Sequence, residues 1–592
     1  MRDQKVLLTV SEALERAARG TTGITYVSEK GAERDLPYSR VLQRAREIAA
    51  ALTARGMRKG DRIALVLPSE EEFVATYFGI VIGGGVAVPL APPLGIGKLG
   101  AFLESSARML ATAGARFLVT SKSIRAIAGT LHGKVPTLAD ILLCAELDAN
   151  EASFQPPNVT LDDLAMLQFT SGSTTHPKGV MLTHGNLAAN TWAVNVHGLR
   201  TTQDDRCVSW LPLFHDMGLI GFILCPMYGG LSTTLMSPML FASRPATWLT
   251  FLSSHKGTIT YAPNFAYAYA AKRVRDTDLE NVDLSHVRVM GCGAEPINAE
   301  TLRAFARRFE KFGFREDAFY PSYGMAESSV AISFGRGIVT DRVLIGDLET
   351  GRRAVPAHDA PAGSCREFVA CGGPFVDHRL RIVDPDSGEE LAERLVGEIR
   401  IWGPSTTVGY HNAPDATTAM FDSHGWLRTG DLGYVTDGQL FVCGRIKDLI
   451  IIRGRNCAPQ DLEWEAAKVD GVRAGAVVAF SVPTNAGDTE SVILVAEARR
   501  GADWSRIARD IQTRLFDELG VTLSAVEIVE PNVLPKTTSG KLQRAEVRKR
   551  VAEGTLRAPR PEGAQSALRH LVTSQWEHLK SAIGTGRPTS NR

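Results

Sequence analysis

The stretch "FTSGSTTHPKGV" sets Thr170, Ser171, Gly172, Ser173, Thr174 and Thr175 in succession, with Lys178 just beyond. Hydroxyls and backbone N–H groups on a glycine turn can wrap an anion, and a neighbouring lysine adds a point charge. Such a run suits a phosphate cradle, although a turn or a flexible linker has the same composition. It is not a Walker loop, which ends in Gly-Lys-Ser/Thr, whereas the order here is Pro177, Lys178, Gly179. Other stretches offer matching pieces. "YPSYGMAESS" puts an aromatic ring, Tyr323, four residues before the carboxylate of Glu327. A base can stack on such a ring, and a carboxylate near phosphates can hold Mg²⁺. "RTGDLGY" places Asp431 in a turn where it could accept from two ribose hydroxyls, and Arg445 follows some way on. "LPKTTSGKLQR" ends a second Ser/Thr/Gly loop with Lys541, a cation able to neutralise charge that develops in an in-line displacement at phosphorus.

These residues need a scaffold, and the patterning supplies one. The run "LAMLQF" before the first loop reads as a buried strand, and "VMLTHGNLAAN" after it as a strand entering a helix near Asn186. Apolar runs such as "RIALVL", "GVAVPL", "ARFLVT", "GTITYAP" and "HVRVMGCG" alternate with helical patterns such as "NAETLRAFARRF", which predicts layered α/β structure up to about residue 440. Between residues 376 and 444 the pattern shifts to short strands with Gly and Asp turns, predicting a β-rich subdomain. "GAVVAFSVP", "SVILVAEA" and "WSRIARDIQTRLFDEL" then predict a compact α+β domain of about a hundred residues, with its boundary near Lys447. The tail opens with a Pro/Gly/Arg linker from Glu553. It then sets Leu568, Leu571, Val572, Trp576, Leu579 and Ile583 at the spacing of a docked amphipathic helix.

Composition narrows the function. A chain of 592 residues with 44% hydrophobic content is too long for one core and implies several. With 66 basic and 65 acidic residues, it carries no broad field to attract nucleic acid or an anionic membrane. Eight scattered cysteines with no Cys-x-x-Cys pair suggest neither a zinc site nor a disulfide framework. The N-terminus interleaves charges with apolar residues, unlike a signal peptide, so a cytoplasmic protein is expected. The uncharged stretch 73–97 is broken by three glycines and three prolines and reads as a buried helix, a turn and a buried strand, with no stable membrane insertion expected.

Taken in order, "TSGSTTHPKG", "GAEP", "YGMAE", "TGDLG", "GRIKD" and "TSGK" resemble the adenylate-forming superfamily of acyl-CoA synthetases, peptide-synthetase adenylation domains and luciferases. Within it, "AVPLAPP", "LPLFHDMGLIG", "APNFAYAYA", "GCGAEPINAETLRAF" and "IIIRGRNCAPQDLE" are similar to the fatty acyl-AMP ligases. The resemblance implies an α/β fold. Residues 1–446 would form a large multi-subdomain domain with a β-rich subdomain, residues 447–552 a small mobile α+β domain carrying the catalytic lysine, and residues 553–592 a linker and tail helix. It implies ATP and Mg²⁺ as cofactors, a fatty acid as substrate, pyrophosphate release, and an acyl carrier protein, or a carrier domain of a polyketide or peptide synthase, as acceptor.

By position, the resemblance gives the phosphates to Thr170, Ser171, Gly172, Ser173, Thr174 and Lys178, and the adenine to Gly293, Ala294, Glu295, Ser322, Tyr323, Gly324 and Met325. It gives Mg²⁺ to Glu327, the ribose to Asp431 and Arg445, the catalytic cation to Lys541 and the hinge to Lys447. His215 and Asp216 would lie where the acyl pocket meets the phosphate site, with His215 and Glu327 counted beside Lys541 among the catalytic groups. Thr175 and Ala326 depart from the superfamily's common glycine and threonine, and Cys457 from a larger ring.

From Glu327 to Gly373 the chain runs 46 positions. In these ligases a similarly placed insertion, here about 341–364, is associated with loss of CoA as acceptor, and an ordered connection beyond roughly 15 residues is usually functional. A conventional acyl-CoA synthetase using free CoA is the alternative. An amino-acid adenylation domain would need an acid for the substrate ammonium, and only Asp216 offers one. A catalytically dead nucleotide sensor would not need both Glu327 and Lys541.

Overall fold

The computed structural model describes residues 5–93, 99–151, 154–169, 177–357, 364–452, 455–483, 490–537 and 541–556. The hydroxyl-rich turn from Thr170 to Thr175 and the helix expected over residues 568–583 lie outside the described residues.

Two sheets carry the larger, N-terminal part. In the first, Asp140–Leu143, Phe117–Thr120, Arg62–Val66, Val86–Pro89 and Leu164–Phe169 run parallel, and Gly179–Thr183 closes the edge antiparallel. Val86–Pro89 and Phe117–Thr120 are buried along their whole length. Burial on both faces is why such runs read as continuously apolar rather than alternating.

The second sheet orders Ser333–Phe334, Phe319–Tyr323, Val289–Cys292, Ile259–Ala262, Arg206–Ser209, Ser232–Met236, Gly23–Val27 and Glu33–Pro37. Its inner strands are parallel and both edge strands antiparallel. The helix Ala299–Phe309 buries Leu302, Phe305, Ala306 and Phe309 at helical spacing. Phe305 meets Tyr267 edge-on at 5.2 Å and lies beside Trp248 and Phe319. Truncating such a fully buried ring costs about 3–5 kcal/mol.

The uncharged stretch resolves into the helix Glu70–Ile82, a glycine turn and the strand Val86–Pro89. Residues 73–82 are all buried. Ser69 caps this helix by accepting from Glu72 N, and three glutamates occupy the first turn, where the helix dipole favours them. Among the described residues no helix is long and apolar enough to cross a membrane.

The β-rich region is a four-stranded antiparallel sheet of Arg379–Val383, Gly397–Trp402, Leu427–Thr436 and Gln439–Arg445. Ahead of it, strand Thr340–Leu344 and helix Ile345–Gly351 of the insertion form an ordered unit with strand Cys365–Val369 just beyond it, the strands paired antiparallel. Val343 and Leu348 are buried with Phe368, Tyr434 and Phe441, which anchors the unit on that sheet. After the turn Ile446–Asp448, which holds Lys447, a smaller C-terminal part follows. It comprises the hairpin Ile450–Ile452 with Arg455–Cys457, a three-stranded sheet of Val472–Pro483, Glu490–Ala498 and Ala525–Val529, and the helices Pro459–Ala466, Trp504–Leu519 and Arg544–Ala552. Among the described residues no two cysteines form a disulfide, and Arg342 donates to Cys365 Sγ at 2.8 Å.

Candidate active site

A cleft of about 2290 Å³ is lined by residues of both the N-terminal and the C-terminal parts. It brings together Lys178, His215, Asp216, Glu295, Glu327 and Lys541, which are scattered over more than 360 positions of sequence.

Lys541 is presented by a hairpin of the C-terminal part. Thr537 N donates to Lys541 O at 2.7 Å and Lys541 N donates to Thr537 Oγ1 at 3.1 Å, while Lys536 and Leu542 face each other in a bridge. Arg544 fixes the base of this hairpin, donating to Asp448, Glu463 and the Ala479 carbonyl at 2.7–3.1 Å. Lys541 lines the cleft with His215, Asp216 and Glu295, and its charge is felt by all three. Burial, helped by that charge, pushes the His215 ring down to about 3, so it stays neutral at working pH. Burial pushes the Asp216 and Glu295 carboxyls up, against the Lys541 charge.

Glu327 sits in the one-turn helix Ala326–Ser328. Its carbonyl accepts from Thr407 N at 2.8 Å, and its Oε1 accepts from the Tyr410 hydroxyl at 2.7 Å. Burial, then the Glu327 charge, raises the Tyr410 phenol well above its ordinary value, so it remains a donor. The Lys178 Nζ lies over the Tyr410 ring, 4.8 Å from its centroid. Behind Glu327, Ser328 and Ser329 are buried, and their hydroxyls bond the hydroxyl and the carbonyl of Ser405 at 3.2 and 3.0 Å. Ser329 takes φ 65°, a strained value for a residue other than glycine that these bonds help to hold.

The loop carrying Gly293, Ala294 and Glu295 follows the strand Val289–Cys292. Gly293 admits no side chain, because a Cβ there would lie 2.4 Å from Ser322 Oγ. That contact sets the loop against the strand Phe319–Tyr323, beside Gly324 and Met325. Glu295 Oε1 accepts from Phe265 N at 2.7 Å, tying the loop to the start of helix Asn264–Arg273.

Asp431 and Arg445 are direct cross-strand partners, and Arg445 Nε lies 2.8 Å from Asp431 Oδ1. The Tyr323 hydroxyl donates to the other carboxylate oxygen at 2.8 Å. The Tyr323 ring is thereby pinned against the group assigned to the ribose.

Tyr410 and the buried amide of Gln168, which donates to Phe214 O at 3.0 Å, were not among the residues singled out from the sequence. The dipeptide "GY" at 409–410 was the available signal for Tyr410. The cleft's apolar walls include Val194, Gly221, Phe222, Cys225, Tyr261 and Phe334. Gly221 lies in the π-helical turn Ile220–Leu224, and nothing lies within 4 Å of where its Cβ would be.

The sequence matches the AMP-binding enzyme family over residues 14–411. The chain belongs to that family. It is 38% identical over 557 residues to a putative acyl-CoA synthetase of Caulobacter vibrioides, covering 92% of this chain and 96% of that one. It is 35% identical to the medium-chain-fatty-acid–[acyl-carrier-protein] ligase JamA of Moorena producens, over 88% and 90% of the two chains. A structure from work on the fatty acyl-adenylate ligases of E. coli and L. pneumophila superposes with a TM-score of 0.87 at 37% identity, over 93% of this chain and 99% of that one. Fold and family therefore agree with the arrangement of the cleft.

Proposed function

We propose that this AMP-binding enzyme is a fatty acyl-AMP ligase of the cytoplasm. It activates a fatty acid with ATP and passes the acyl group to the phosphopantetheine thiol of an acyl carrier protein or carrier domain. The observation that carries the reading is one cleft in which an apolar wall meets Glu327, His215, Asp216 and a lysine from the C-terminal part. In the first step a carboxylate oxygen attacks the α-phosphorus, the acyl phosphate bond forms, and pyrophosphate leaves. Lys541 neutralises the charge that grows on the reacting oxygens, and neutral His215 borders the carboxylate without adding a competing charge.

Lys178 and the turn bearing Thr170, Ser171, Gly172, Ser173 and Thr174 hold the phosphates. Gly293, Ala294, Glu295, Ser322, Tyr323, Gly324 and Met325 form the adenine side, and Asp431 with Arg445 the ribose side. Mg²⁺ suits the donor set: among the described residues no three His, Cys, Asp or Glu gather into a self-contained metal cluster. An ion held by one carboxylate, Glu327, together with nucleotide phosphates and waters is the usual magnesium arrangement. Bound there, it would neutralise phosphate charge.

The domains run 1–446 and 447–552, with Lys447 as hinge. The insertion favours a carrier protein over CoA, because its contacts oppose rotation of the C-terminal domain. Arg366 lies 2.5 Å from Asp461 and 3.6 Å from Glu349, and Asn456 Nδ2 donates to the Glu349 carbonyl at 3.3 Å. A carrier protein can offset that bias with docking contacts that free CoA lacks.

The name of JamA supports this reading. The name of the Caulobacter relative supports the second one, a synthetase using free CoA. Mass-spectrometric detection of acyl-AMP over a panel of fatty acids, with CoA or with a phosphopantetheinylated carrier as acceptor, separates the two. Acyl-AMP that accumulates with CoA and is discharged by the carrier is the expected result. Conversion to acyl-CoA at the rate of adenylation would establish the second reading.

A further inference from the structure

The polypeptide around Tyr410 is built for a narrow purpose. Gly409 takes φ 135°, and a Cβ there would lie 2.4 Å from the Thr417 methyl, so only glycine makes this turn. Tyr410 N then donates to Thr417 Oγ1 at 2.9 Å. On the other side the segment is sewn to the strand that follows Lys178. Met181 N donates to Gly409 O at 2.9 Å, His411 N to Gly179 O at 2.8 Å, and Thr407 Oγ1 to Met181 O at 2.6 Å. Thr407 N also holds the Glu327 carbonyl, so one short segment ties the lysine's strand to the glutamate's turn. Tyr410 projects from it with its ring under Lys178 and its hydroxyl on Glu327.

We propose that Tyr410 is a positioning residue that sets Glu327 and Lys178 at a fixed separation around the magnesium-bound phosphates of ATP. The proposal rests on the adenylating function above. The hydroxyl occupies Glu327 Oε1 as a donor and so aims the carboxylate's other oxygen as the metal ligand. The ring holds the Lys178 ammonium by its quadrupole and keeps it from pairing with Glu327 before ATP arrives. The two contacts are separable by mutation, because phenylalanine keeps the ring and removes only the hydroxyl.

The experiment is calorimetric binding of ATP, with no fatty acid present, to the full-length enzyme with and without Mg²⁺. Tyr410→Phe should leave the metal-free affinity within about twofold of wild type. It should reduce the tightening caused by Mg²⁺ by about 10- to 100-fold, the usual effect of removing a partner that orients a metal ligand. Tyr410→Leu should weaken the metal-free affinity as well, since it releases Lys178. In a Glu327→Gln background, Tyr410→Phe should add less than about twofold, because a hydroxyl that acts through Glu327 has nothing left to aim.

A Tyr410→Phe protein that keeps the full Mg²⁺ effect overturns the proposal, as does one whose effect adds undiminished to that of Glu327→Gln. Failure to fold would appear as loss of the cooperative thermal transition, and Tyr410→Leu in the Glu327→Gln background then decides on the Mg²⁺ tightening alone, which should change by less than about twofold even as the metal-free affinity falls. Pyrophosphate release with a fatty acid is measured alongside. If wild type binds MgATP but releases none with any acid, the adenylation reading falls while the binding result still judges Tyr410.

Discussion

Replacing Arg366 with methionine tests the proposal that contacts of the insertion unit with the C-terminal part govern the acceptor. Arg366 is buried between Glu349 of its own unit and Asp461 of the C-terminal helix Pro459–Ala466, with side-chain exposures of 9%, 4% and 11%. Removing the guanidinium strands two carboxylates in a nearly dry interface. Breaking a buried pair in this way costs about 3–5 kcal/mol, and rotation of the C-terminal part returns both acids to water. A loss of about 3 kcal/mol moves a two-state equilibrium by roughly 100-fold. If the adenylating arrangement is favoured 100:1, the variant sits near parity. Transfer of acyl groups from preformed acyl-AMP to free CoA should then rise up to about fiftyfold, while pyrophosphate release falls no more than about twofold. Asp461→Leu is the control, because Arg366 still faces Glu349 and no carboxylate is stranded; its effect should be several times smaller. Acyl-CoA formation by Arg366→Met within twofold of wild type, or equal effects of the two variants, would refute the reasoning.

Lys541→Ala should lower adenylation about 10²- to 10³-fold with ATP binding within threefold of wild type, because the cation acts on developing charge; pyrophosphate release within threefold of wild type would sink that assignment. Gly221→Leu places a side chain in the empty space at the cleft's apolar wall and should shorten the longest acid accepted without changing MgATP affinity, checked by acyl-AMP yields across chain lengths. His184 is buried, accepts from Val10 N at 3.1 Å, and is held down to about 4 chiefly by burial. Its folded-state value lies below the unfolded 6.5, so its contribution is intact above pH 6.5 and lost as pH falls towards 4, by about 3 kcal/mol at that point. Urea unfolding at pH 7.5 and 4.5 should show a smaller acid loss for His184→Gln than for wild type, and equal losses would contradict the linkage.

What was legible in the sequence was local. The buried strands of the first sheet announce themselves as short apolar runs, and the stretch 73–97 divides at its glycines as read. Asp431 and Arg445 could be linked because a single hairpin joins them, and the structure makes them register partners. Val343 and Leu348 of the insertion are apolar residues that need a core, and they find one with Phe368, Tyr434 and Phe441. Contacts between distant segments were not legible. Tyr410 stands 83 positions from Glu327, and Arg366 reaches Asp461 only because two separately folded units meet. No periodicity records such a meeting. Tyr323 was read as a stacking surface from its ring alone. The hydroxyl that bonds Asp431 gives the same side chain a second task, which residue type permits but does not reveal. The roles assigned to residues from Thr170 to Thr174 and to the tail helix concern positions outside the described residues.

The charges of the cleft connect the chemistry to the motion. Asp216, Glu295 and Glu327 come from the N-terminal part, and the cation that balances them arrives on the C-terminal hairpin. Burial alone pushes Asp216 and Glu295 towards the neutral form, and Lys541 opposes that push on both. Withdrawing Lys541 therefore does more than remove a catalytic group. It lets burial carry Asp216 and Glu295 further towards the neutral form, so the acids beside the nucleotide lose charge as the cation leaves. On the proposed function, a rotation that opens the site to a thiol therefore takes the cation off the reacting oxygens without building repulsion against the nucleotide. A clasp such as Arg366 with Asp461 then has a second consequence. On the proposed function, by keeping Lys541 in place it holds the adenylating arrangement until an acceptor with enough docking energy arrives.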